Sequence, residues 1–280
     1  MRWIITPPSP KQKQQPEQPI HIKTPDEIAI MREAGRIVAK AHVAMREAVR
    51  PGISTAELCD VGETVIRDHG AVPTFIGVKK EKSPDFPAAI TASINYELVH
   101  GIPSPKRILK EGDIVSLDTA CTYNGFVGDA AYTYPVGEVS ASVKRLLEYG
   151  EGALYAAIDA SVLPHETRDV ALATHRYAAR GGYSVALEYT GHGVGKQMWE
   201  SPQIPNWWPS ASTAKKKGFV SHKLQIGMTY AIEPMVIAGK PDLHELGDQW
   251  TVATKDKSLC THFEHTIVIT EGKPIILTLP

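Results

Sequence analysis

The stretch from Asp113 to Asp129 constrains the fold more than any other part of the chain, because its register can be derived. Residues Asp113 to Asp118 alternate as a strand does, and Tyr123, Asn124, Gly125 and Phe126 carry the signal of a two-residue type I′ turn. With Asn124 and Gly125 as the loop, Tyr123 pairs with Phe126 and Ala120 faces Asp129. Asp118 then shares the face of Ala120 and sits diagonal to Asp129, about 7–8 Å away at Cα, with the side chains able to converge. Two converging carboxylates repel unless a cation sits between them. Ions in a two-metal site lie about 3.5–4 Å apart, a span such a pair can bridge. On the hairpin alone, two solvent-facing aspartates would be the preferred reading.

Three further residues shift that balance. Glu233 lies in the largely apolar stretch Met228 to Met235, and Glu264 lies in the equally apolar Phe263 to Ile269. An unpaired carboxylate is expensive in either setting. His192 stands among Gly191, Gly193 and Gly195, where glycines let the backbone pass close to a site. One imidazole with four carboxylates is a hard, oxygen-rich set that suits a pair of Mn, Fe, Co or Zn ions.

Helices frame these strands. Thr24, Pro25 and Glu27 form a capped start, and Ile28, Met31, Ala34, Val38, Ala41, Met45 and Val49 follow at helical spacing until Pro51 and Gly52. Ser54 and Glu57 open a second helix to about Gly70, with Leu58, Val61 and Val65 inward. A helix near 141–161 precedes Pro164, and another from Glu166 carries Val170, Ala173 and Tyr177 before Gly181 and Gly182. The blocks Pro51 to Gly70 and Pro164 to Gly182 are alike, and each precedes strand-like sequence, which suggests two related halves. Thr229 to Met235 and Phe263 to Thr270 read as strands. Helices packed on a mostly antiparallel sheet make the fold class α+β.

The remaining sequence sets bounds. Residues 1–21 are rich in Pro, Gln and Lys and read as a flexible extension, in which Pro7 and Pro10 make a minimal PxxP. Residues 22–280 are expected to form one catalytic domain. A net charge of −1 points to neither nucleic acid nor a membrane surface. The lysine clusters 79–82 and 215–217 are small enough to be solvated loops. Cys59, Cys121 and Cys260 are scattered and odd in number, which fits a reducing compartment. A cytoplasmic monomer is the expectation.

Taken in order, Asn95 to Pro103, Gly112 to Val115, Asp118, Gly128-Asp129, Gly191 to Gly193, Ile232 to Met235 and Glu264 to Thr266 resemble the type I methionine aminopeptidases. The resemblance runs from about Ile20 to Pro280. It implies a pita-bread fold of two pseudo-symmetric halves around two divalent ions (Co, Mn, Fe or Zn) held by Asp118, Asp129, His192, Glu233 and Glu264. It implies hydrolysis of the first peptide bond of peptide or nascent-protein N-termini, as the family performs at the ribosome, with Glu233 as both ligand and proton shuttle. His100 would hydrogen-bond the scissile amide nitrogen or the intermediate. Trp250 would wall the pocket for the first side chain, with Phe75, Phe86 and Met198 as further lining; an apolar pocket suits an unbranched thioether.

The sequence also departs from that family. Trp199 stands where the family has a second histidine seven residues after the metal-binding one, a donor to the carbonyl oxygen of the substrate. Ala120 replaces a residue that often hydrogen-bonds the ligand set, and His262 stands where glutamine is common. The charged loop Val78 to Asp85 and the segment Asn206 to His222 are longer than usual. Two alternatives follow from Trp199: a relative with a changed substrate, such as Xaa-Pro peptides, or a non-catalytic peptide- or protein-binding module.

Overall fold

Helices begin where a side chain can satisfy the free amides of the first turn. The computed structural model describes residues 19–81 and 83–280, so the expected extension lies outside the described residues up to residue 18, as do Pro7 and Pro10. In α1 (Pro25–Ala48) Thr24 Oγ1 accepts from the Glu27 amide at 3.3 Å, and Glu27 returns a bond to the Thr24 amide at 3.0 Å. Ser54 and Glu57 repeat this reciprocal cap on α2 (Thr55–Asp68). Ser140 caps α3 (Ala141–Asp159), and Asp169 accepts from the Glu166 amide at the start of α4 (Thr167–Arg180). Each such cap contributes about 1 kcal/mol.

The predicted inner face of α1 is the buried one: Met31, Ala34, Val38, Ala41 and Met45 are all enclosed. In α2 the buried stripe runs Leu58, Gly62, Ile66, with Val61 and Val65 packed at its edge. Of the apolar residues noted at helical spacing in α4, not all turn inward. Val170 is buried, but its companions are Thr174 and Ala178, while Ala173 and Tyr177 are only partly covered. Thr174 can turn inward because its hydroxyl donates to the Val170 carbonyl at 3.2 Å, leaving only its methyl to pack.

The strands pair antiparallel throughout the described residues. The main sheet runs in the order Val72–Pro73, Ile114–Tyr123, Phe126–Pro135, Glu264–Val268, Thr229–Ile232, Thr190–Gly193, Glu200–Pro205. The hairpin has the derived register: Tyr123 opposes Phe126, Ala120 opposes Asp129, and Asp118 opposes Ala131. Asn124 and Gly125 both take positive φ, as a type I′ turn requires.

One expected strand is in fact broken: Thr229 to Met235 divides into Thr229–Ile232 and Met235–Ile237, while the strand expected over Phe263 to Thr270 is found as Glu264–Val268, directly after a separate strand Cys260–His262. Met235–Ile237 leaves the main sheet for a three-stranded sheet with Cys260–His262 and Ser184–Val185, in which Met235 pairs with His262. Pro234 has no amide to continue a ladder, which accounts for the break.

The helices cover one face of the main sheet. Leu117, Cys121 and Ala130 share a core with Val38, Met45, Leu58 and Ile66 of α1 and α2. A second core joins Leu154, Ile158 and Val170 of α3 and α4 to Met228, Tyr230 and Ile267. This is the two-half α+β arrangement expected from the sequence. Because side chains alternate across a strand, burying Leu117 and Ala130 under helices sends Asp118 and Asp129 to the other face.

Candidate metal centre

Strand order brings the candidate ligands together. Asp118, Asp129, Glu264, Glu233 and His192 lie on, or one residue beyond, five consecutive strands of the main sheet. Asp129, His192 and Glu264 each offer a donor atom within 4.8 Å of the others. His192 Nε2 stands 3.7 Å from Asp129 Oδ2 and 3.6 Å from Glu233 Oε1. Its Nδ1 lies 3.0 Å from the Gly193 carbonyl. With the proton on Nδ1 donated to that carbonyl, the Nε2 lone pair faces the carboxylates, the orientation a metal ligand needs.

Asp118, Asp129, Glu233 and Glu264 all titrate well above the ordinary carboxylate range, because burial disfavours their charged forms. Mutual repulsion adds to burial at Asp118, Asp129 and Glu264. Burial also lowers His192 to about 4, keeping its ring neutral. Asp118 Oδ1, Asp129 Oδ1 and Glu264 Oε1 are buried without a hydrogen-bond partner among the described residues. Ala120, opposite Asp129 in register, has no group to donate. Buried acceptors rarely go unsatisfied, and a cation among these oxygens satisfies all of them while reversing the repulsion. The donor set therefore fits divalent metal.

Glycines permit this convergence in a different way from that expected. A Cβ on Gly191 would lie 2.4 Å from the Ala231 carbonyl oxygen, and one on Gly193 would lie 2.2 Å from that of Ser201. They let neighbouring strands close on the one carrying His192 rather than opening the site itself.

A cavity of about 640 Å³, counting its open mouth, leads to the carboxylates. Phe75, Phe86, His100, Met198, Trp199 and Trp250 all line it, as the sequence suggested. Phe86 meets Trp250 edge-on at 5.1 Å and Phe75 at 6.4 Å between ring centroids. The Trp250 indole donates to the Pro84 carbonyl at 2.9 Å, and Lys80 Nζ sits 5.5 Å over its ring, so the charged loop braces this wall. Trp199 stands edge-on to His192, 6.4 Å between centroids. His100 has φ of 62°, a strained position for a residue with a side chain. Burial lowers its pKa to about 3, so its ring is neutral at working pH.

Residues the sequence reading did not assign to the site also reach it. His262 lines the cavity, with Thr91, Val99, Tyr189 and Met235. His262 stands two residues before Glu264 but on a different strand and sheet, so strand alternation does not place it, and the other four had no local signal either. The segment Asn206 to His222 contains a short helix, α5 (Ala211–Lys217), whose flanking Trp207 and Trp208 both pack edge-on against Phe219. It does not line this cavity.

Comparison with known proteins agrees with the geometry. Residues 29–271 match metallopeptidase family M24. Methionine aminopeptidase 1 of Bacillus subtilis (strain 168) is 45% identical over 256 residues, 91% of this chain and 98% of that protein. Methionine aminopeptidase of Aquifex aeolicus (strain VF5) is 40% identical over 260 residues, 92% of this chain and 98% of that protein. The crystal structure of methionine aminopeptidase from Thermotoga maritima superposes with a TM-score of 0.87 at 37% identity, covering 93% of this chain and all of that one. The fold is thus the pita-bread fold of those structures, and the chain belongs to the methionine aminopeptidases of metallopeptidase family M24.

Proposed function

We propose that this protein removes the N-terminal methionine from peptides and proteins, using two divalent ions held by Asp118, Asp129, His192, Glu233 and Glu264. The observation that carries the reading is the convergence of buried, unsatisfied carboxylate oxygens at the end of an apolar, aromatic-walled cavity. Relatives named methionine aminopeptidase at 36–45% identity support the reaction and do not favour a changed substrate or a non-catalytic module. Bound divalent ions supply a water activated near neutral pH and polarise the scissile carbonyl.

The chain's own residues do the rest. Glu233 has one oxygen toward His192 and the other toward His262, which suits a group that takes a proton from water and passes it to the leaving amine. His100, neutral and projecting from a strained backbone at the cavity wall, hydrogen-bonds the scissile amide nitrogen. Phe75, Phe86, Met198 and Trp250 exclude water from the first side chain and give a thioether polarizable contacts. Trp199 puts a neutral indole donor on a larger ring where the family has an imidazole, a weaker partner for the substrate carbonyl, so the chemistry is slowed or altered.

The reading includes a cytoplasmic monomer acting on peptide or nascent-protein N-termini. None of the described helices is long and apolar enough to cross a membrane. The test is methionine release from Met-Ala-Ser and Met-Gly peptides by metal-stripped protein given Mn, Co, Fe or Zn. Metal-dependent release is expected. No release from protein shown to hold two ions would overturn the proposal.

A further inference from the structure

Two imidazoles, rather than the one read from the sequence, border the carboxylates. His262 Nε2 stands 3.4 Å from Glu233 Oε2 and 3.9 Å from Glu264 Oε2. The corresponding distances for His192 are 3.6 Å to Glu233 Oε1 and 3.7 Å to Asp129 Oδ2. Glu233 therefore lies between the rings, one oxygen facing each. All four separations exceed the usual N–H···O range of about 2.7–3.2 Å. They are close to the edge of a coordination polyhedron: ligands bound at about 2.0–2.1 Å in tetrahedral array lie roughly 3.4 Å apart.

The His262 ring is aimed, not free. Its backbone is clamped to the hairpin, since its amide donates to Thr133 Oγ1 at 2.9 Å and its carbonyl accepts from that hydroxyl at 2.9 Å. The residue is 2% exposed, and its Nε2 is buried with no hydrogen-bond partner among the described residues. A structural histidine in a core is normally satisfied at its ring nitrogens, as His42 is by the Ala130 carbonyl and the Tyr134 hydroxyl.

We propose that His262 is a sixth protein donor of the metal centre, placed across Glu233 from His192, so that each ion is held by one imidazole. This inference rests on the two-ion reading above. It makes the donor set four carboxylates and two imidazoles, giving the second position a borderline nitrogen where it would otherwise have oxygen only. Such a position prefers Zn, Co or Fe over Mn more strongly than an all-oxygen one.

The experiment is titration of metal-stripped wild type, His262→Gln and His262→Ala with Co²⁺, followed by visible absorption, and with Zn²⁺ and Mn²⁺ by calorimetry. Wild type is expected to bind two ions. Both variants are expected to keep one tight ion and to bind the second about 10–100-fold more weakly or worse. The loss should be larger for Zn²⁺ and Co²⁺ than for Mn²⁺, and the Co²⁺ bands of the second ion should change. Retention of the first ion reports that the variants fold. Two ions bound by His262→Gln with wild-type affinity and spectrum would overturn the inference while leaving the two-ion reading intact. Equal weakening of both ions would also overturn it, since a ligand to one position spares the other. Wild type that binds fewer than two ions would overturn the two-ion reading itself.

Discussion

Gly128→Ala tests whether the hairpin is positioned by backbone contact with α1. A Cβ on Gly128 would lie 2.5 Å from the Gly35 amide nitrogen and 2.6 Å from the Ala34 carbonyl carbon. Comfortable contact for such atoms is about 3.5–4.0 Å, so the helix and hairpin must part by roughly 1 Å. Both neighbours are main chain, and no rotamer can yield. Overpacking costs about 1–3 kcal/mol, and this case belongs at about 3. At roughly 2–4 °C per kcal/mol, the melting temperature should fall by about 6–12 °C. Asp129 is the next residue, and a displacement near 1 Å at a reacting centre can cost about 100-fold in rate. Calorimetry and methionine release on metal-loaded protein read both effects. Gly125→Ala is the control: no atom lies within 4 Å of its Cβ, but its φ of +82° makes any side chain cost about 1–2 kcal/mol. That variant should lose stability and keep its rate. Gly128→Ala melting within about 2 °C of wild type at full activity would refute the reasoning.

Other predictions follow from neighbouring observations. Lys23 is buried and bonds Glu200 at 2.6 Å, so Lys23→Ala leaves that carboxylate with the Gln197 amide but without its cation and should cost about 1.5–3 kcal/mol in urea denaturation; a loss under about 0.5 would contradict this. Burial lowers the pKa of His42 to about 4, so between about pH 6.5 and 4 the unfolded chain binds a proton that the folded one does not. Wild-type stability should thus fall with pH relative to His42→Gln, by up to about 3 kcal/mol at pH 4, and a pH-independent difference between the two would refute it. Trp199→His should raise the rate of methionine release, since one oxyanion donor is typically worth about 10²–10³; an unchanged rate would show that the indole is an adequate substitute.

Much of the protein is written locally. The Asn124-Gly125 turn and the two-residue period of strands determined the register of the hairpin, and with it the facing of Asp118 and Asp129. Capping side chains determined where α1 and α2 start, because those bonds span three residues. The costly carboxylates Glu233 and Glu264 could be picked out because their neighbours are apolar. Only the tertiary structure decided that the chain leaves one sheet for another at Phe263, which face of α4 turns inward, and that His262 reaches the carboxylates at all. Those outcomes depend on packing between separate segments, as in the clamp of His262 on Thr133 from a strand far away in sequence. A local pattern can state which side of a strand a residue occupies, but the partner that meets it there is set by how the sheets and helices close around it.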